Sequence, residues 1–412
     1  MKLLILADDF TGALDTGVQF AARGASTCVV VDPDYPMEQA REQVLILDAE
    51  TRHLSGQQAY EVVFQAVERA LAAGFTHIYK KTDSALRGNV GAELTAVLDA
   101  AKASCLAFLP ALPKMNRVTR QGIHYIDGVP VAESVFGKDP FEPVRVSSVK
   151  DVLRQGSQAA VVLHPLGTDS YMTTPGIHVY DAETQADLEG IGSRLGAGGI
   201  RLCAGCAGFA SVVADLLLPP GEKPQLPKLE PGLFVACGSV NAVTLRQMEE
   251  AEKAGFHHIH LTPRQKLDAA WVRGDEMRQA VQSWLELAKT GRCILDVNDP
   301  AGCDDTLRYA ERYGLDVEFR RQRISANLAV LVKEMLDGGL EGTILCTGGD
   351  TLLALMKQVG VSQLVPVGEL APGAVLTRFR YREKEYNIIA KSGGFGAPDL
   401  FIKIANQSAL EE

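Results

Sequence analysis

Short apolar runs alternate with amphipathic stretches along most of the chain. They begin with an apolar run at residues 3–7, a polar turn at 8–12 and a helical pattern to about residue 23. That succession predicts a βα unit. Further apolar runs at 43–48, 76–80, 105–109 and 159–163 each adjoin a segment of helical periodicity, as in an open parallel sheet. Residues 219–232, PPGEKPQLPKLEPG, hold five prolines, which neither continue a helix nor complete a strand ladder, so this stretch is the expected linker. Beyond it the rhythm restarts, with strands predicted at 233–236, 257–261, 293–297, 343–346 and 387–390 and helices at about 273–289 and 323–337. No internal repeat is visible.

Length supports the same division, because a single core stops growing near about 250–300 residues and this chain has 412. The predicted fold class is α/β. Two open, mainly parallel-sheet domains, 1–218 and 233–412, are expected, with the active site in the cleft between them, since such sheets bind ligands at the carboxyl ends of their strands.

Composition narrows the partners. Hydrophobic residues at 46% and charged residues at 22% are globular proportions, which excludes large-scale disorder. A net charge of -10 argues against nucleic acid or an anionic membrane surface as partner, while leaving room for a small anion in a local basic pocket. No run approaches the roughly 18 apolar residues of a membrane span, and two aspartates stand where a signal peptide would be cleaved, so a cytoplasmic location is expected. The eight cysteines are dispersed. The close pair Cys203 and Cys206 lacks zinc or thioredoxin context and reads as structural.

Six strand-end segments carry the candidate chemistry. In Asp8-Asp9-Phe10-Thr11-Gly12 one aspartate can cap the helix, leaving the other to bind a substrate hydroxyl or accept a proton. In Lys80-Lys81-Thr82-Asp83-Ser84-Ala85-Leu86-Arg87 two cations, two hydroxyls, an acid and a guanidinium share one turn. Arg87 could clasp a carboxylate there, and the bland alternative is a solvated loop with a Ser or Asp cap. Asn116 and Arg117 follow a third strand and could face the same pocket, whereas His124 beside Tyr125 reads as packing. Thr347-Gly348-Gly349-Asp350-Thr351 and Lys391-Ser392-Gly393-Gly394 are glycine turns whose amides can approach phosphate, and Gly238-Ser239 repeats the theme. Neither a Walker motif nor GxGxxG is present, so each turn alone is weak. Three such turns in one half, opposite carboxylate-binding chemistry in the other, describe a kinase.

Taken together, Ala7-Asp8-Asp9-Phe10-Thr11-Gly12-Ala13, Lys81-Thr82-Asp83-Ser84-Ala85-Leu86-Arg87-Gly88, Pro110-Ala111 with Gln121-Gly122, Gly238-Ser239, Gly348-Gly349-Asp350-Thr351 and Ser392-Gly393-Gly394-Phe395-Gly396 resemble the four-carbon acid sugar kinase family. The resemblance covers nearly the whole chain. It implies an N-terminal acid-sugar domain, a C-terminal ATP domain, and a 4-phosphorylated threonate, erythronate or 3-oxo-tetronate feeding a catabolic route. By position it implies acid-sugar binding at Asp9, Lys81, Asp83, Ser84 and Arg87, and ATP binding at Ser239, Gly348, Gly349, Asp350, Thr351 and Gly393.

The expected roles follow from phosphoryl transfer, which asks for alignment and charge neutralisation. Asp9, Asp83 and Asp350 are the catalytic candidates, with the proton acceptor open among them. Asp8, Thr11, Lys81, Ser84, Arg87 and Asn116 are the substrate-binding candidates. Gly394 joins the ATP set, and Mg2+ is the expected metal with its ligands unassigned. Partners are the acid sugar and ATP, with a homo-oligomer left open. A nicotinamide-dependent sugar-acid oxidoreductase and a non-catalytic acid-binding protein are the competing classes.

Overall fold

The computed structural model describes residues 2–139, 142–168, 171–219 and 224–409. The chain divides into two compact units, Met1–Pro224 and Gln225–Glu412. Of the linker expected at 219–232, residues 220–223 lie outside the described residues.

The first unit runs β1 (Leu3–Ala7), α1 (Phe10–Ala21), β2 (Thr27–Val30), β3 (Val44–Asp48), α2 (Gly56–Ala72), β4 (His77–Lys81), α3 (Val90–Ala100) and β5 (Cys105–Leu109). A small antiparallel sheet of β6 (Arg117–Arg120), β7 (Ile123–Ile126) and β8 (Val129–Pro130) follows. Then come α4 (Val149–Arg154), β9 (Val161–His164), β10 (Gly176–Tyr180), α5 (Gln185–Gly199), β11 (Leu202–Gly205) and α6 (Ala207–Leu217). The main sheet is parallel in the order β2-β3-β1-β4-β11-β5-β10-β9. Every residue of β1 is buried, as expected for a strand covered on both faces by helices. Leu4, Leu6, Leu45, Leu47, Ile78 and Phe108 share one core with apolar residues of α2 and α3. The chain lays β2 and β3 to one side of β1 and β4 to the other. The loops after β1 and β4 therefore diverge at a topological switch point, where such sheets hold ligands.

The second unit repeats that plan. It runs β12 (Leu233–Cys237), α7 (Ala242–Lys253), β13 (His257–His260), α8 (Pro263–Leu267), α9 (Asp275–Ala288), β14 (Arg292–Asp296), α10 (Asp305–Arg312), α11 (Val317–Asp337), β15 (Thr343–Thr347) and α12 (Gly349–Val359). It closes with β16 (Gln363–Ala371), β17 (Ala374–Tyr381), β18 (Lys384–Lys391) and α13 (Leu400–Ala409). Strands β13-β14-β12-β15-β18 are parallel, and β17 and β16 add antiparallel neighbours beyond β18. Val235, Ile294, Leu345, Ile389 and Phe401 form this unit's core. Here the switch point lies between β12 and β15.

The sequence pattern missed β2, β10, β11, the hairpin strands and most of the β16–β18 meander. Pro366 and Gly368 interrupt β16, and its pairing with β17 shifts register at both Pro366/Gly368 and Glu369/Ala371. Such bulges erase the alternation that marks a strand. Among the described residues no helix is long and apolar enough to cross a membrane.

Candidate active site

Three neighbouring strand ends in the first unit put the charged residues together. Ala7, the last residue of β1, stands in register with Asp48 of β3 and Lys81 of β4, so the segments after these strands emerge side by side. Asp9 is the N-cap of α1, and its Oδ1 accepts from the Gly12 amide at 2.8 Å. A Cβ on Gly12 would lie 2.5 Å from Asp9 Oδ1 and 2.7 Å from Lys81 Nζ, so only glycine lets the carboxylate and the ammonium close on the helix start. Thr11 is half-buried in the same first turn.

Arg52 is the hub of this cluster, and no motif in the sequence announced it. Its side chain is 8% exposed; Nε donates to Asp8 Oδ2 at 2.8 Å, Nη1 to Asp9 Oδ2 at 2.7 Å, and Nη2 lies 3.9 Å from Asp83 Oδ1. Burial would raise the Asp9 pKa, but the Arg52 and Lys81 charges outweigh it and hold this carboxyl below its ordinary value. Asp83 is also buried, yet Arg87 and Arg52 hold it well below the usual range. Asp48, by contrast, is pushed well above that range by burial and by the charges of Glu50 and Asp9. One oxygen of Asp8 and the Thr82 hydroxyl are buried with no hydrogen-bond partner among the described residues.

Three expectations change in detail. Arg87 does not present an open fork: Nε and Nη2 donate to the two oxygens of Asp83 at 2.8 and 3.2 Å, and Nη1 reaches Asp139 at 3.4 Å. Lys80 and Lys81 do not share a pocket, because successive strand residues face opposite ways. Lys80 is buried against Glu93 at 2.9 Å, while Lys81 Nζ donates to the Thr82 carbonyl at 2.8 Å near Asp9. Asn116 is exposed in a left-handed turn (φ 52°), where its side-chain amide donates to Asp127 at 3.2 Å rather than to a residue of the Arg52 cluster.

Arg117, one residue on, does join the site by donating to the Ser84 hydroxyl, and its guanidinium and that of Arg87 each lie 5.1 Å from the Phe136 ring centre. His124 is a buried support, as expected. Its Nε2 faces the Ser84 carbonyl at 2.9 Å, so that nitrogen carries the proton, and Nδ1 accepts from Thr119 at 3.1 Å. A cavity lined by Arg52, Arg87, Gly88, Asn89 and Glu142 opens beside the two guanidinium groups.

The second unit assembles its site from the same topology with different chemistry. Cys237, Thr347 and Lys391 end three adjacent strands in register, so Gly238-Ser239, Gly348-Gly349 and Ser392-Gly393 emerge together. Close approach explains two of the glycines. A Cβ on Gly393 would fall 2.5 Å from Ser239 Oγ, and one on Gly238 would fall 1.8 Å from Thr351 Oγ1. Gly348 has φ 92°, a conformation that L side chains rarely adopt, and caps α12 without a side chain, leaving the first amides of that helix for an anion. Thr351 is buried against Gly238 rather than open to solvent. Gly394 is exposed beside Asn241, and Asp350 is exposed in the first turn of α12, paired with Arg321 at 3.1 Å.

Lys391 supports these loops from below. It is 2% exposed and donates to Thr244 Oγ1 and the Ser392 carbonyl at 3.0 Å and to the Gly393 carbonyl at 3.3 Å. Burial lowers its pKa to about 8. Cys203 and Cys206 are buried free thiols in the first unit, and burial raises both pKa values, consistent with a structural part.

Comparison with known proteins agrees with this division. Residues 3–213 match the model of a sugar-binding N-terminal domain, and residues 234–401 match that of a nucleotide-binding C-terminal domain. The chain is 28% identical to a D-threonate kinase of Salmonella typhimurium over 96% of each chain. It is also 28% identical to a D-erythronate kinase of Heliobacterium modesticaldum over 99% of each. A crystal structure from Salmonella typhimurium, described as a putative tRNA synthase, shares the fold with a TM-score of 0.83 at 20% identity, covering 98% of both chains. The chain thus belongs to the four-carbon acid sugar kinase family, in which a sugar-binding N-terminal domain is joined to a nucleotide-binding C-terminal domain.

Proposed function

We propose that this protein transfers the γ-phosphoryl group of ATP to the 4-hydroxyl of a four-carbon acid sugar, with threonate the leading substrate and erythronate and 3-oxo-tetronate next. The observation that carries this reading is the coexistence of two different strand-end sites in a chain that matches such kinases end to end. One is built of carboxylates and cations around Arg52, the other of glycine amides and hydroxyls around Ser239.

The roles follow from what each group is free to do. Asp9 is the proton acceptor, because its side chain is 25% exposed while Asp83 is 9% exposed and tied to Arg87 through both oxygens. A loose phosphoryl-transfer transition state needs the proton removed late, so a carboxylate of lowered pKa serves. Asp83 and Asp8 orient Arg87 and Arg52. Lys81 and Arg117 supply positive charge for the substrate carboxylate, with Thr11 and Ser84 as hydroxyl partners.

On the nucleotide side, the amides of Gly348–Thr351 and Gly393–Gly394 and the Ser239 hydroxyl hold phosphate oxygens. The charge of Lys391 lies beneath them. Magnesium takes oxygen ligands, many of them from the phosphates themselves. The exposed Asp350 carboxylate beside Gly349 fits that donor set and would hold the ion, which when bound neutralises charge on the phosphate oxygens.

The test is ADP release with Mg-ATP against D- and L-threonate, D- and L-erythronate and 3-oxo-tetronate. Turnover with one acid, lost in Asp9→Asn, is expected. Folded protein that turns over none of them would overturn the four-carbon assignment.

A further inference from the structure

The carboxyl edge of the second unit's sheet carries a second constellation, one strand away from the glycine loops. His258 and His260 alternate along β13 and so lie on one face of it, and His260 stands in register with Asp296 at the end of β14. Asp296 is 1% exposed. Its Oδ1 accepts from the Asn298 amide at 3.0 Å and from Asn298 Nδ2 at 2.7 Å, which leaves Oδ2 aimed at the two imidazoles. That oxygen lies 3.0 Å from His258 Nε2 and 3.6 Å from His260 Nδ1. Among the described residues no lysine or arginine is paired with this buried carboxylate.

We propose that His258, His260 and Asp296 bind a borderline divalent metal ion of the zinc class. Two metal bonds of about 2.1 Å at tetrahedral or octahedral angles separate their donor atoms by about 3.0–3.4 Å; here the two imidazole–carboxylate spacings are 3.0 and 3.6 Å and one donor atom from each of the three side chains lies within 4.8 Å of the others. The donor set selects the ion: two imidazoles and a carboxylate suit zinc, cobalt or nickel, whereas magnesium prefers oxygen and its own water. His260 Nδ1 also lies 3.2 Å from the Asn298 carbonyl, a contact the ion would replace, and the other outer contacts are those a metal site needs. His258 Nδ1 lies 3.3 Å from Glu252 Oε2, a carboxylate that fixes the ring with Nε2 toward the ion, and Asn298 locks the Asp296 carboxylate. The His260 side chain is 32% exposed, so the fourth position faces solvent.

The site also touches the nucleotide loop. Asn298 Nδ2 donates to the Ser239 carbonyl at 3.1 Å as well as to Asp296, so an ion on Asp296 fixes the side chain that holds Ser239. This ion is separate from the magnesium that accompanies ATP.

The experiment uses the full chain without a polyhistidine tag, stripped by chelator and dialysed against Zn2+ in the presence of excess Mg2+. One zinc per chain is expected to remain, and Co2+ in its place should give visible d–d absorption. Glu252→Gln should weaken retention on the order of tenfold, and His260→Ala should abolish both retention and the cobalt band. His257→Ala, whose ring faces the other side of β13, should change neither. Absence of retained zinc in the unaltered protein, displacement of zinc by Mg2+, or retention unchanged in His260→Ala with an unchanged melting curve would each overturn the proposal. His260 is partly exposed on the terminal parallel strand, so its replacement tests the site even where Asp296→Asn fails to fold.

Discussion

The two units solve the same positional problem with opposite materials. Each lays its first strand in the interior of a parallel sheet and reverses strand order beside it, and each brings three strand ends into register there. In the first unit those ends carry Asp8, Asp9, Lys81 and Asp83 around Arg52, and charge balance decides the geometry. In the second they carry Gly238, Gly348 and Gly393, and the absence of side-chain atoms decides it. A hydroxy acid presents a carboxylate and several hydroxyls that need individually placed donors and acceptors. A polyphosphate presents equivalent oxygens that a row of backbone amides can hold. The contrast predicts that the first site fails when a charge is altered and the second when an atom is added.

The largest effect should come from Arg52→Ala. It strands Asp8 in a buried setting and takes one of the neighbouring cations from Asp9 and Asp83, and breaking such a network costs about 3–5 kcal/mol. Denaturant melts should show this loss, with turnover falling alongside. A loss below about 0.5 kcal/mol, the usual range for a surface substitution, would mean that the cluster is not held by charge.

The next effect is a pH dependence confined to the first unit. Burial, despite the Ser84 hydrogen bond, lowers the His124 pKa to about 4. The unfolded chain, with an imidazole pKa of about 6.5, binds a proton between those values that the folded chain does not. This contribution to stability is complete above about pH 6.5 and is lost as pH falls toward about 4, with about 2 kcal/mol of it already lost at pH 5. His124→Gln should remove that part of the pH slope, measurable by thermal melts across the range.

Smaller again is Gly393→Ala in the second unit, whose Cβ would meet Ser239 Oγ at 2.5 Å. The KM for ATP should rise about tenfold, equivalent to about 1.4 kcal/mol, with the KM for the acid unchanged. Equal changes in both constants would erase the proposed division of labour.

The smallest effect concerns an exception to the contrast, a buried cation beneath the glycine loops of the second unit. Lys391, with its pKa lowered to about 8, is charged below that pH and neutral above it. The kcat/KM for ATP should therefore fall several-fold as pH rises from 8 to 9. Lys391→Met should flatten that limb of the profile.

Much of this was legible because ligand loops in such folds directly follow apolar strands, and those strands are the clearest signal in the chain. Asp8-Asp9, Lys81–Arg87 and the three glycine turns could be located that way. Arg52 could not, since it lies four residues beyond β3 in a stretch without a motif, and only the pairing of Ala7 with Asp48 carries it to Asp8 and Asp9. The reading of Arg87 as an open carboxylate clasp overlooked Asp83 four residues earlier, which occupies two of its donors. Asn116 was misjudged because proximity to Arg117 in sequence says nothing of side-chain direction in a left-handed turn.

By itself, then, the sequence determined the α/β class, the two-part organisation and the strand-end segments that carry the candidate chemistry, because hydrophobic periodicity and turn composition are local properties. The tertiary structure alone decided which charges meet, which lysine is sequestered, and that histidines of β13 converge on Asp296. Those outcomes depend on strand order and register, which bring together residues dozens of positions apart and leave no local trace in the chain.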